Sequence, residues 1–322
     1  MPYQLEIEDH EKRFLTYLNY VTALSNFIKM EISPNRYVFE NIVNSRSFRR
    51  IQAGRCMQPQ LVCRLLRNAW LTEIQLGLPS RYSELVSYSN HWAPVQLYYS
   101  IYLAIRAFFL AGNRNVREDY TTTLRTISRD VFSRPELFPL PWKILCTGDP
   151  SLANIEYLNL SERIQIQPVS SLTSGDHVNY WDSYGLFLKT TRDRQIDKSI
   201  KDWKKTEKRK TIRAGERADL VARLSPTSFF HCIYRLRIRS NYSDVESFLV
   251  SIERSDDSDK FNGSLRKDPK LATALVHITT ENNGVLSMTN FPITLRKEDG
   301  KSLCVGQRTR SEKEISNYEM QR

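Results

Sequence analysis

The segment from Ala93 to Ala111, Ala-Pro-Val-Gln-Leu-Tyr-Tyr-Ser-Ile-Tyr-Leu-Ala-Ile-Arg-Ala-Phe-Phe-Leu-Ala, is apolar on nearly every face of a helix. A helix with no polar side has to be covered all round, so this one belongs at the centre of a fold. Pro94 suits its first turn and Gly112 suits the C′ position behind it. Nineteen residues give about 28 Å at 1.5 Å per residue. That length matches a bilayer core, but Gln96, Ser100, Arg106 and the tyrosine hydroxyls argue against a membrane span.

Around this helix the apolar spacing predicts further helices. One covers residues 9–32, with Asp9 as N-cap, Phe14, Tyr17, Leu18, Val21, Leu24 and Ile28 on one face, and Pro34 as its stop. A weaker amphipathic stretch runs to about Ile51. Others are expected over Pro59 to Leu76, Asp119 to Phe132, from near Val178 to about Arg217, over 226–242, and from Asp244 to Ile252. Four prolines within 133–150 predict a long irregular excursion around Trp142. Residues 151–175 suit a short strand or two. Residues 253–268 read as an exposed loop, Leu271 to Ile278 as a short apolar stretch, and Val285 to Leu295 as a strand pair or extended tail. The expected fold class is mainly α: a helical bundle with a long Pro-rich insertion and minor β or extended elements. The expected division is a helical domain over 1–255, then a polar loop and C-terminal packed segment over 256–322.

The chain has 322 residues, 40% of them hydrophobic, which is enough for a substantial core and argues against global disorder. Its 11 glycines are too few for a turn-dense β-sandwich. Cys56, Cys63, Cys146, Cys232 and Cys304 form no C-x-x-C pair, so reduced thiols are expected and a metal site is not. No signal peptide is visible at the N-terminus, and the expected location is the cytoplasm. No cofactor is implied: P-loops, nucleophile elbows and dinucleotide fingerprints are absent.

A net charge of +11 favours a polyanionic partner, with nucleic acid the first candidate. Between Arg192 and Arg217 lie eleven Lys and Arg against five Asp and Glu. On a helix, Lys201, Lys204, Lys205 and Lys208 share one face, with Arg209 following, while Ile196, Ile200 and Trp203 lie on another. Such a stripe neutralises successive phosphates, or else is a solvated face. A second cluster is Arg235-Leu-Arg-Ile-Arg-Ser-Asn-Tyr242. Arg235 and Arg239 are i,i+4 neighbours, and Asn241 and Tyr242 offer groups able to fix a phosphate. Pairing with Asp244 and Glu246 is the alternative use of these arginines. Among the histidines, His91 beside Trp92 is the least explained, and His231 reads as a core residue.

The pattern Ala-Pro-x-x-x-Tyr-Tyr-x-x-x-x-x-x-Arg-Ala-Phe-Phe in the central helix resembles the first long helix of HEPN-domain proteins. Arg-x-Arg-x-Arg-Ser-Asn-Tyr242 resembles the arginine-plus-tyrosine segment on a later helix of that family. The resemblance covers about 60–130 and 225–250. It implies a helical bundle, often dimeric, of a bacterial toxin–antitoxin or anti-phage defence module. Many members are metal-independent ribonucleases that use an arginine followed, after four to six residues, by a histidine. In the equivalent place this chain has Arg114-Asn-Val-Arg-Glu-Asp-Tyr120, with tyrosine at the histidine position. Tyrosine, with an unperturbed pKa near 10, is a poor general base at neutral pH. The resemblance therefore implies RNA binding through Arg235, Arg237, Arg239 and the 198–213 stripe, in either a nuclease or a binding-only relative. Two other readings stand beside it. One is a non-enzymatic interaction subunit or homodimer that uses apolar helices for assembly. The other is a nuclease whose site joins His91 to Arg114 or Arg117.

Overall fold

The computed structural model describes residues 2–27, 41–42, 44–52, 56–81, 89–114, 117–152, 154–160, 166, 180–249, 293–296 and 302–305. The expectations for 28–40, 253–268 and 271–278 lie outside the described residues. The described helices are α1 (Pro2–Phe27), α2 (Arg46–Gln52), α3 (Pro59–Gly77), α4 (Ala93–Ala111), α5 (Tyr120–Ser133), α6 (Tyr180–Thr206), α7 (Ala214–Arg223), α8 (Phe229–Ile238) and α9 (Val245–Leu249). The strands are β1 (Leu145–Thr147), β2 (Glu156–Leu158), β3 (Thr227–Ser228), β4 (Ile293–Arg296) and β5 (Ser302–Val305). The fold is mainly α. No described helix is long and apolar enough to cross a membrane.

The uniform apolarity of α4 follows from its two covered sides. Ala104, Ala107 and Leu110 meet Val62, Cys63, Leu65, Leu66 and Ala69 of α3. Small side chains there let the two helix axes approach closely. Leu97, Tyr98, Ile101, Tyr102, Ile105 and Phe109 face the main core, which α1, α5, α6 and α8 complete. The one charged side chain of α4, Arg106, pairs with Glu118. A third, smaller cluster joins Ile196 and Ile200 of α6 to Val221 of α7.

The ends of the central helix differ from expectation in one respect. Gly112 keeps φ at −84°, and Asn113 instead takes the left-handed conformation at φ 55°. The amide of Arg114 then reaches back to the Phe109 carbonyl at 2.8 Å, closing the end of the helix. Asparagine tolerates this conformation, and its Oδ1 also accepts from the Met57 amide at 2.9 Å. At the next helix Asp119 caps α5 by accepting from the Thr122 amide at 2.7 Å.

Three other boundaries move. The first helix begins at Pro2, so Asp9 lies inside α1 rather than capping it. The Pro-rich excursion is not wholly irregular: Leu140-Pro141 is cis, and β1 follows as the central strand of a three-stranded antiparallel sheet, ordered β2–β1–β3. Cys146 pairs with Tyr157 on one side and Thr227 on the other. The stretch expected as one helix to Arg217 ends at Thr206. Lys208 turns left-handed at φ 53°, and α7 starts afresh at Ala214. The carboxylate of Glu216 accepts from the Arg213 amide at 2.8 Å to cap that restart. Near the C-terminus, β4 and β5 pair antiparallel, with Thr294 opposite Cys304.

Candidate functional site

Three arginines in five positions of α8 and its extension go to three different places. Arg235 donates to the hydroxyls of Thr190 (2.6 Å) and Thr191 (3.1 Å), locking α8 to α6. Arg239 donates to both carboxylate oxygens of Asp244, at 3.0 and 3.2 Å. Tyr17 of α1 donates to the same carboxylate at 2.5 Å, so Asp244 ties α1 to the end of α8. The guanidiniums of Arg235 and Arg239 thus work inside the fold.

Arg237 is the exception. Two residues on from Arg235, it points from the opposite side of α8, toward α4. Its guanidinium carbon lies 5.3 Å from the Tyr98 ring, 5.2 Å from Tyr99, 5.3 Å from Tyr120, 5.9 Å from Tyr234 and 6.0 Å from Tyr242. It donates a hydrogen bond to the Tyr99 hydroxyl at 3.0 Å. Among the described residues no carboxylate pairs with it, and its Nε has no hydrogen-bond partner. The residue is only 8% exposed. A cation buried without a counter-charge is costly. Aromatic faces offset part of that cost, about 0.5–2 kcal/mol for each well-placed ring.

Local structure assembles the cage. Tyr98 and Tyr99 enter from α4, Tyr120 from the first residue of α5, and Tyr234 from one turn before Arg237 on α8. Tyr242 reaches it because α8 widens into a π turn over Arg239–Ser243, closed by the Asp244 amide donating to the Arg239 carbonyl at 2.8 Å. In an α-helix, five residues on lies about 140° round the axis. The wider turn brings Tyr242 back over Arg237, and such turns recur at functional sites. Tyr242 is 66% exposed and forms the rim. Inside, the Tyr99 and Tyr120 hydroxyls stand 3.4 Å apart. That hydrogen bond, and then burial, push Tyr120 up to about 12. Burial also holds the Tyr98 hydroxyl well above the ordinary phenol range, and among the described residues its oxygen has no hydrogen-bond partner.

The other residues singled out from sequence scatter. Arg114 pairs with buried Asp130, which Arg134 also holds at 2.6 Å, and its guanidinium lies over Phe109 at 4.8 Å. It fastens the end of α4 to α5. His91 lies ahead of the opposite end of α4, its ring 5.8 Å from that of Trp92. The helix between them, about 28 Å long, keeps His91 from sharing a site with Arg114. Arg117 lies 3.6 Å from Asp119 on the surface. Of the lysine stripe, Lys201 and Lys205 are exposed on α6 and Lys204 is half-buried. Lys208 is exposed too, but its left-handed backbone takes it off the helical face. Arg209 stacks over Trp203 at 5.1 Å and pairs with Glu216 at 2.6 Å. Arg192, counted within the basic run, is buried and donates to the carbonyls of Gly148, Ser225 and Val221 at 3.1, 2.8 and 3.2 Å. Asn241 sits half-buried in the π turn.

Of the residues proposed from sequence, Tyr120 and Tyr242 therefore meet at Arg237, while Arg114 and Arg239 are bound elsewhere. Sequence reasoning gave Tyr98, Tyr99 and Tyr234 no site role. Their signal is the tyrosine excess at helical spacing, Tyr98 and Tyr102 on α4 and Tyr234 with Arg237 on α8. His231 is buried in a polar knot with Ser228 and Ser128, its Nδ1 3.1 and 3.3 Å from their hydroxyls. Burial, with the nearby charge of Arg192, pushes it down to about 3. It is a neutral structural residue. Among the described residues no group of three or more His, Cys, Asp or Glu is placed to hold a metal ion. Compared with family models, with curated proteins and with solved structures, the chain matches none.

Proposed function

We propose that this chain is an RNA-binding helical protein of HEPN-like type, serving a bacterial defence or toxin–antitoxin module. The observation that carries the reading is the Arg237 cage: a buried guanidinium with no carboxylate partner among the described residues, walled by tyrosines, with Tyr242 exposed at its rim. Such a site offers a cation to a phosphate and a ring to a base. Stacking on an aromatic side chain contributes about 1–3 kcal/mol per base and tolerates any sequence. The exposed lysines of α6, Lys201 and Lys205, add charge for the remaining backbone.

Binding without cleavage is the favoured form of this reading. Proton abstraction from a 2′-hydroxyl needs a group that ionises near the working pH. Tyr120 moves the other way, up to about 12, and His231 is sealed in the core. The test is fluorescence anisotropy with single-stranded RNA across a salt series. Affinity should fall steeply with salt, and replacing both Lys201 and Lys205 with Ala should reduce the log–log slope by roughly one per lost phosphate contact. Salt-insensitive binding, or none below about 100 μM at low salt, overturns the proposal.

One observation favours a second reading, an interaction subunit. Leu71, Ile74 and Leu78 recur at i, i+3 and i+7 along the outer side of α3 and its 3₁₀ extension, and all three are exposed. Leu71→Glu should then dissociate a complex that light scattering detects for the wild type. A wild-type monomer that recovers no partner in stoichiometric amount counts against this reading.

A further inference from the structure

We infer that the Arg237 cage takes the terminal phosphomonoester of a single-stranded RNA end, with the terminal base stacked on Tyr242. The inference rests on the RNA-binding reading above and narrows it to one part of the molecule. Depth is the first reason. Arg237 is 8% exposed, and its guanidinium carbon lies 5.2–6.0 Å from the centres of five tyrosine rings. An internal phosphodiester carries a sugar on each side and would have to bring both into the ring of tyrosines. A terminal phosphate has one substituent and three free oxygens, so it enters end-on.

Charge is the second reason. A phosphomonoester carries about −1.5 to −2 at neutral pH, against −1 for a diester. The cage holds a guanidinium with no carboxylate partner among the described residues, so the more highly charged group gains more. The third reason is the donors. The Tyr99 and Tyr120 hydroxyls share one long hydrogen bond of 3.4 Å, and among the described residues the buried Tyr98 hydroxyl has no partner. With the Arg237 guanidinium they supply hydrogen-bond donors for the three oxygens. Tyr242, exposed at the mouth, is placed to stack the base that follows.

The experiment uses the full chain and three short single-stranded RNAs of one sequence: 5′-phosphorylated, 3′-phosphorylated, and hydroxyl at both ends. One of the phosphorylated RNAs should bind about tenfold or more tightly than the hydroxyl form, the factor expected of hydrogen bonds to a charged group. Which one binds better reports the polarity of the bound end. Arg237→Gln should bring the three affinities together, with a thermal melt checking that the variant folds. A measurement on the unaltered protein guards against misfolding of that variant. The ³¹P resonance of the terminal phosphate should titrate at lower pH in the complex than the value of about 6 for the free group. Equal affinities for the three RNAs, or an unshifted titration, overturn the inference and leave RNA binding standing. If none of the three binds, both fall together.

Discussion

The Arg237 guanidinium donates to the Tyr99 hydroxyl at 3.0 Å, joining α8 to α4 across 138 residues of sequence. This bond orients the cation among the tyrosine rings. Removing it with Tyr99→Phe leaves the buried guanidinium with no hydrogen bond among the described residues. Loss of about 1–3 kcal/mol of stability is expected, measured as a drop in the urea midpoint with unchanged slope.

Tyr242 separates binding from folding. It is exposed and contributes a ring at the rim, so Tyr242→Ala should leave the melting temperature within about 1–2 °C of wild type. RNA affinity should fall by roughly 5- to 100-fold, the equivalent of one lost stacking contact. Unchanged affinity would remove Tyr242 from the site.

Asp244 is the anchor beneath the π turn. It accepts from Arg239 and Tyr17, and Arg13 lies 4.0 Å away. Asp244→Asn leaves the Arg239 cation without its counter-charge, at a cost of about 3–5 kcal/mol. Because Tyr242 is held by the same turn, RNA affinity should drop with stability. A stable variant with the π turn intact would contradict this account of the anchor.

His231 sets an acid limit. In the unfolded chain its imidazole titrates near 6.5, whereas in the fold it is pushed down to about 3. Between those values the unfolded state binds more protons, so stability rises with pH and is lost as pH falls from about 6.5 toward 3. His231→Gln removes this dependence. The stability gap between wild type and variant should narrow by up to about 1.4 kcal/mol per pH unit on going from pH 7 to pH 5. A constant gap would show that the imidazole is not held neutral.

Lys208 carries a backbone cost. Its φ of 53° closes α6, with the Arg209 amide bonded to the Lys204 carbonyl at 3.0 Å. Lys208→Gly should stabilise the chain by about 0.5–1 kcal/mol, read as a higher urea midpoint. No gain would mean that the strain is relieved by other contacts.

The central helix, its length, the helix from Pro59 and the helix that follows Asp119 were legible from residue spacing, because burial of one face leaves periodic marks. The cysteine-bearing strand β1 was not. A strand of three residues has too few positions to show a period of two, and it lies within the Pro-rich stretch. The restart after Thr206 was hidden for a related reason: the apolar face resumes in α7, so the break shows only in the backbone of Lys208.

The candidate site divides the same way. The sequence by itself determined that three arginines crowd the end of α8 and that tyrosines crowd α4, since both are matters of composition and spacing. It left open which arginine was free, because a guanidinium's partner is chosen by what the fold brings beside it. Tertiary structure gave Asp244 to Arg239, two threonines of α6 to Arg235, and Asp130 to Arg114. Arg237 was left facing tyrosine rings contributed by α4, α5 and the π turn, a neighbourhood that exists only once those elements pack.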